Sequence, residues 1–270
     1  MQPVTVPVEH ACVHTGPYRT HLDRTGAGRR PAVLFLHSFG PGVSARANWQ
    51  FALPSSGRRF DGLAPDLVGF GRSAHLDPPL QGMSAWMDTW LTQLTGLLDA
   101  LNIARVHLVG NSRGGTIALH LLWRHPERME SAVPMGTVGV PLPISPGLDG
   151  TWGFYEVPTI EGLTQIFRWF VYDPRRVGGD LEAIPRRRYE ATRDPATRRS
   201  FAAMFPVPVP TAPRRSRRPR RRARQHPAAG ALDPWARRPD HSAGDELPSP
   251  SVAAQCAVAR LRTVQALDPD

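Results

Sequence analysis

The sequence predicts an α/β chain: a mostly parallel sheet, a helical lid inserted behind it, and an irregular Arg/Pro-rich tail where the remainder of the core is expected. Three observations carry this reading. The apolar run Val106-His107-Leu108-Val109 passes through Gly110-Asn111-Ser112-Arg113-Gly114 into the helical pattern Thr116 to Leu122, so strand, turn and helix follow one another without a gap. An earlier buried run, Ala32-Val33-Leu34-Phe35-Leu36, enters the turn-rich stretch His37-Ser38-Phe39-Gly40-Pro41-Gly42. At Pro206 the composition changes and hydrophobic periodicity stops.

Taken in chain order, strands are expected near 32–37, 60–65, 105–110 and 131–137, which gives a core over residues 1–138. Leu63 to Ser73 reads as a loop at a strand end beside the site, although a tight surface turn explains Gly69 and Gly71 equally well. Residues 139–205 read as the lid, with Leu163, Ile166, Phe167 and Phe170 at helical spacing. Such a stripe serves packing more often than a substrate pocket, and in a lid it can do both.

Ser112 is the candidate nucleophile. A serine between a buried strand and a helix sits on a strained turn that lifts its hydroxyl into a cleft, and small residues at 110 and 114 avoid a clash with neighbouring backbone. The helix N-terminus then faces the anion formed there. The competing reading is a Gly/Ser turn without chemistry. Acyl transfer also needs two backbone N–H donors around the developing oxyanion, and the residue after the nucleophile, Arg113, and Phe39 in the early loop are the candidates.

Composition bounds the rest. A chain of 270 residues holds one α/β core with an inserted lid. No apolar stretch approaches the roughly 18 residues of a membrane span. Met1 to His14 lack a basic start followed by an apolar run, so no signal peptide and no membrane partner are expected. Cys12 and Cys256 form neither a disulfide framework nor a metal-ligand cluster, which fits a cytoplasmic location and no metal. All 33 basic residues are Arg, a feature of GC-rich coding more than of physics.

With these residues in view, the stretch from about 17 to 205 resembles the meta-cleavage product hydrolases, serine-dependent carbon–carbon bond hydrolases of the α/β-hydrolase fold in aromatic degradation. The resemblance rests on GPGVSARANW from 40, APDLVGFGRS from 64, LVGNSRGG from 108, MGTVGVPLPISPGLDGTWGF from 135 and RRYEA from 187. The last two are similar to the branch acting on 2-hydroxymuconic semialdehyde and its alkyl relatives. Ser38 stands where the family has Gly, which predicts a displaced or strained loop.

The resemblance implies a 2-hydroxy-6-oxo-2,4-dienoate as the small-molecule substrate. It is ketonised and attacked at C6, so that C5–C6 breaks to release a carboxylic acid and 2-hydroxypenta-2,4-dienoate, without cofactor. It further implies that Asn48, Asn111 and Arg188 bind the dienoate end, the Arg fork suiting a carboxylate. On residue type alone, Arg186 to Arg188 equally describe a solvated helix face, and Asn48 a cap for a helix beginning at Trp49. Self-association is left open.

The tail does not fit the family. Residues 206–240 contain 8 Pro and 10 Arg among 35, and residues 206–270 carry 12 Arg against 6 acids. A basic run such as Arg214 to Arg224 ordinarily suggests a nucleic-acid arm. Here, however, two core strands bearing the triad acid and base are missing, with Asp233, Asp240 and His241 the only stand-ins, and the order Ser, acid, His cannot be completed at normal spacing.

Reading each codon from its second base from about residue 210 lets the genetic code yield GREDRIIPLETS over 235–246 and NAQLHVFGRCRHWTQ over 255–269. The triad Asp then arises from the codon of Arg238 and the His from that of Ala266. A one-base insertion, or its equivalent, between codons of about 206 and 211 is therefore expected, and nucleic acid is not the expected partner. Two other classes stay open: another serine hydrolase of this fold such as an esterase, and a non-enzymatic protein with a basic nucleic-acid-binding tail.

Overall fold

A computed structural model describes residues 6–139, 145–171, 173 and 183–205. The sheet has six strands: β1 (Glu9–Thr15), β2 (Tyr18–Thr25), β3 (Ala32–Leu36), β4 (Asp61–Pro65), β5 (Val106–Asn111) and β6 (Met129–Met135). Their spatial order is β1-β2-β4-β3-β5-β6. β1, β2 and β4 pair antiparallel, and β4, β3, β5 and β6 run parallel. The sheet is thus mostly parallel as expected, and the four strands read from sequence fall within two residues of their observed bounds.

The first two strands were not legible, for a physical reason. Their sequences, EHACVHT and YRTHLDRT, carry polar groups into the interior, where Thr15 and Thr20 hydroxyls bond each other at 2.7 Å and Gln93 donates to Thr20 at 2.9 Å. Inward hydroxyls and carboxylates erase the apolar alternation that marks a strand. The two-residue link between them uses Gly16 at φ +62°, the sign a tight hairpin requires.

Helices cover the sheet: α1 (Ala45–Trp49), α2 (Ala52–Ser56), α3 (Met83–Ala100) and α4 (Arg113–Arg124). Helix α3 buries Trp86, Trp90, Leu94 and Leu97, and the indole N–H groups of Trp86 and Trp90 are satisfied by the carbonyls of Leu80 and Val68 at 2.7 and 3.0 Å. The lid supplies α5 (Pro146–Trp152), α6 (Ile160–Phe170), α7 (Ala183–Thr192) and α8 (Pro195–Met204). Phe201, Met204 and Phe205 reach down into the main core, so the lid's last helix is fixed to it.

Two local expectations are corrected. Gly69 does not mark a surface turn, since residues 66–70 are buried and a Cβ there would press on Met204 and Trp86, whereas Gly71 does lie in an exposed turn. In the lid stripe Leu163 and Ile166 are buried, whereas Phe170 is exposed and does not pack inward. Two edge strands, β1 and β6, bound the sheet among the described residues, and on the parallel one, β6, Val133 and Met135 are exposed at about 40%. Parallel strands are ordinarily covered on both faces. The stand-ins Asp233, Asp240 and His241, with the whole tail, lie outside the described residues.

Candidate active site

Leu36 of β3 pairs with Gly110 of β5, so the loops leaving these neighbouring parallel strands open at the same edge of the sheet. Ligands of open parallel sheets bind at that carboxyl edge. Ser112 follows β5 at φ +54° and ψ −118°, one of only two non-glycine residues with positive φ among those described. Its N–H donates to the carbonyl of Met135 at 2.7 Å, and its carbonyl accepts from Gly115 at 2.9 Å, over-determining the strained turn. A Cβ at Gly110 would collide with the carbonyl oxygen of Gly114, and one at Gly114 with that of Leu36. The small residues at 110 and 114 are therefore demanded by backbone approach, as the sequence suggested.

Arg113 is the first residue of α4, a position whose N–H makes no bond within the helix ladder. Across the edge, the Phe39 side chain is buried against Phe70 and Trp90, with ring centroids 4.6 and 4.7 Å away, which anchors the loop that carries its backbone N–H. Ser38 does not strain this loop by a positive φ, and its N–H donates to Oδ1 of Asn48 at 2.7 Å. The same oxygen accepts from Nδ2 of Asn111 at 3.3 Å. Asn48 is thus no helix cap: it lies within α1, whose N-cap is Ser44, and it ties that helix to both loops of the edge.

Sequence reading left out the scaffold behind these residues. His37 is fully buried, its Nε2 accepts from the N–H of Leu67 at 3.0 Å, and its Nδ1 donates to the carbonyl of Ser38 at 2.8 Å. Burial pushes its pKa below the ordinary histidine value, against the attraction of Asp66. With both nitrogens committed, His37 holds the loop and is not placed to act as a base. The buried Asp66 carboxylate accepts from the N–H groups of Ala45 and Arg72 at 2.6 and 2.9 Å.

Arg188 comes from the lid to this edge. Its neighbours Arg186 and Arg187 are exposed, as a solvated face would be, but Arg188 turns inward. Nη2 donates to the carbonyl of Pro41 at 2.9 Å, the guanidinium lies 4.9 Å from the ring centre of Phe167, and the buried Nε has no hydrogen-bond partner among the described residues. Burial pushes its pKa down to about 10. No carboxylate among the described residues pairs with it. Phe167 therefore packs and supports a polar group at once. No helix among the described residues is long and apolar enough to cross a membrane.

Comparison with known proteins gives a consistent set. The profile of the alpha/beta hydrolase fold family matches residues 31–154. A 2-hydroxy-6-oxo-2,4-heptadienoate hydrolase of Pseudomonas putida is 40% identical, covering 73% of this chain and 67% of its own. A 2-hydroxymuconate semialdehyde hydrolase of a Pseudomonas species is also 40% identical, over 70% and 63% respectively. The chain thus spans about two thirds of the length of these curated relatives. Among solved structures, the 2-hydroxy-6-oxo-6-phenylhexa-2,4-dienoate hydrolase of a Rhodococcus species superposes with a TM-score of 0.71 at 34% identity, covering 74% of this chain and 72% of that one.

Proposed function

Because this chain belongs to the meta-cleavage product hydrolase family of the α/β-hydrolase fold, we propose that it derives from an enzyme cleaving carbon–carbon bonds of 2-hydroxy-6-oxo-2,4-dienoates of the 2-hydroxymuconic semialdehyde type. The observation that carries the substrate class is Arg188. A guanidinium held away from water, with one buried N–H unpartnered and no carboxylate against it among the described residues, calls for an anion. A dienoate carboxylate meets that need.

In this reading Ser112 attacks C6 of the ketonised substrate, and the N–H groups of Phe39 and Arg113 hold the oxyanion. Asn48 and Asn111 meet the dienoate end beside Arg188. The C5–C6 electron pair becomes the C4–C5 double bond, the conjugated 2-oxo oxygen takes up the charge and then a proton to give 2-hydroxypenta-2,4-dienoate, and water hydrolyses the acyl group from Ser112.

The acid and base come from a tail read in the shifted frame, and the chain as written, holding only Asp233, Asp240 and His241 beyond residue 205 for those roles, is nearly inactive. The exposed outer strand β6 supports this, because a parallel strand with an open edge suits a sheet that continues in the shifted frame. The test is to express the written chain beside a version with the frame restored from about residue 210, and to follow release of 2-hydroxypenta-2,4-dienoate. The restored protein should turn over and the written one should lie on the order of 10⁴ to 10⁶ lower, the usual cost of losing triad members. Comparable turnover by both proteins overturns the frameshift.

A further inference from the structure

We propose that His10, His21 and Asp23 form a binding site for a divalent transition-metal ion of the zinc type, on the β1–β2 hairpin. The site follows from strand register. His10 pairs with Asp23 across the ladder, and His21 stands two residues from Asp23, so all three side chains share one face of the hairpin. Their ligand atoms lie within 4.8 Å of one another. Nδ1 of His10 and Nε2 of His21 approach the same carboxylate oxygen, Oδ1 of Asp23, at 2.7 and 3.1 Å, and the two rings stack 6.0 Å apart. A tetrahedral ion with bonds of about 2.0–2.1 Å needs its ligands about 3.3 Å apart, so each imidazole needs to draw back from the Asp23 oxygen by less than an ångström.

The surroundings favour an ion over a plain hydrogen-bonded cluster. Asp23 is buried, and His21 is fixed through its backbone, its N–H donating to Ser73 Oγ at 2.9 Å and its carbonyl accepting from Asp66 N–H at 2.9 Å. A cavity of about 250 Å³ adjoins His10 and Asp23, leaving room for water to complete the coordination. Trp49 lines this cavity, and its buried indole N–H has no partner among the described residues. Arg46 also lines it, but is exposed, so its charge is screened. Cys12 shares the face by pairing with His21, yet its sulfur is engaged by Arg19 at 3.8 Å and it stands outside the ligand group. Two imidazoles and one carboxylate suit Zn²⁺, Co²⁺ or Ni²⁺, and not the oxygen-only preference of Ca²⁺ or Mg²⁺. An ion held by both strands pins the edge strand β1 to β2.

The experiment is calorimetric titration of the full chain with Zn²⁺ and with Co²⁺, the latter followed also by its visible absorption. Wild type should bind one ion tightly at the hairpin and rise in Tm with Zn²⁺ but not with Mg²⁺. His10→Ala, at the most exposed ligand, should weaken that binding at least about tenfold, while His10→Asp, which restores a ligand, should recover most of it. His125→Ala, remote from the hairpin, should leave it unchanged. Binding that is absent in wild type, or equal in wild type and His10→Ala, overturns the site.

Discussion

The guanidinium of Arg188, on the third helix of the lid, donates from Nη2 to the carbonyl oxygen of Pro41 at 2.9 Å, in the loop that leaves the central strand β3. One hydrogen bond thus joins residues 147 positions apart, and places a buried positive charge over the loop that carries Phe39. The Gly42 backbone makes the approach possible: at φ +63°, a Cβ there would run into the Arg188 carbonyl.

If that charge grips the dienoate carboxylate, Arg188→Lys in the frame-restored enzyme should lower kcat/KM for the dienoate far more than for a neutral aryl ester, because a point-charge ammonium loses the paired hydrogen bonds. A charge-assisted hydrogen bond is worth roughly 1.5 to 3 kcal/mol, so the two substrates should separate by about tenfold to a hundredfold. Equal losses would assign Arg188 to support of the lid.

The same burial makes Arg188 costly to the fold. Its depressed pKa of about 10 means the charged form is disfavoured in the folded chain relative to the unfolded one, so stability should rise as pH climbs from about 10 toward the ordinary Arg value. Arg188→Met, which keeps an unbranched apolar stem and removes the charge, should stabilise the chain by about 1 to 4 kcal/mol in urea denaturation while abolishing dienoate binding. A destabilised Arg188→Met protein would mean that the Pro41 bond and the Phe167 contact outweigh the buried charge.

Ser112 adopts a backbone conformation that glycine accepts at little cost. Ser112→Gly and Ser112→Ala both remove the hydroxyl, but only the glycine relieves the strain, which costs on the order of 1 to 3 kcal/mol. After the larger entropy loss of glycine, Ser112→Gly should remain about 1 kcal/mol more stable than Ser112→Ala in equilibrium unfolding. Equal stabilities would show that the elbow stores no strain at this residue.

His37 gives a second pH dependence of the same origin and sign as that of Arg188, in a lower pH window. Its folded pKa lies below the unfolded value near 6.5, because burial opposes the charge and Nε2 already accepts from Leu67. The unfolded chain therefore binds the extra proton first, and the contribution is present above about pH 6.5 and lost as pH falls through and below it. Imidazole NMR should show the His37 ring neutral in the folded chain at about pH 6, where a model histidine is mostly charged. A His37→Asn variant should show a shallower loss of stability between about pH 6.5 and 5. A ring titrating near 6.5 in the folded protein contradicts the arrangement.

Local spacing alone determined a good part of this protein. The elbow at Gly110 to Gly114 was legible because strand, strained turn and helix are consecutive in the chain, and each announces itself through residues a few positions apart. The central strand β3 was legible because burial on both faces leaves the continuous apolar run Ala32 to Leu36, and β5 through the apolar run that enters the elbow. What the chain brings together across long separations was not written in any such pattern. The β1–β2 hairpin hides polar groups that satisfy one another, so its register, and with it the grouping of His10, His21 and Asp23, emerges only when the strands pair. Asn48 reads as a cap until Ser38 and Asn111 are seen to share its oxygen. Arg188 has the same composition around it as Arg187, and only the packing of α7 on the β3 loop decides that one faces water and the other a buried edge. Residue type and period fix what a segment prefers locally, but desolvation and partnering are properties of neighbours that the fold alone supplies.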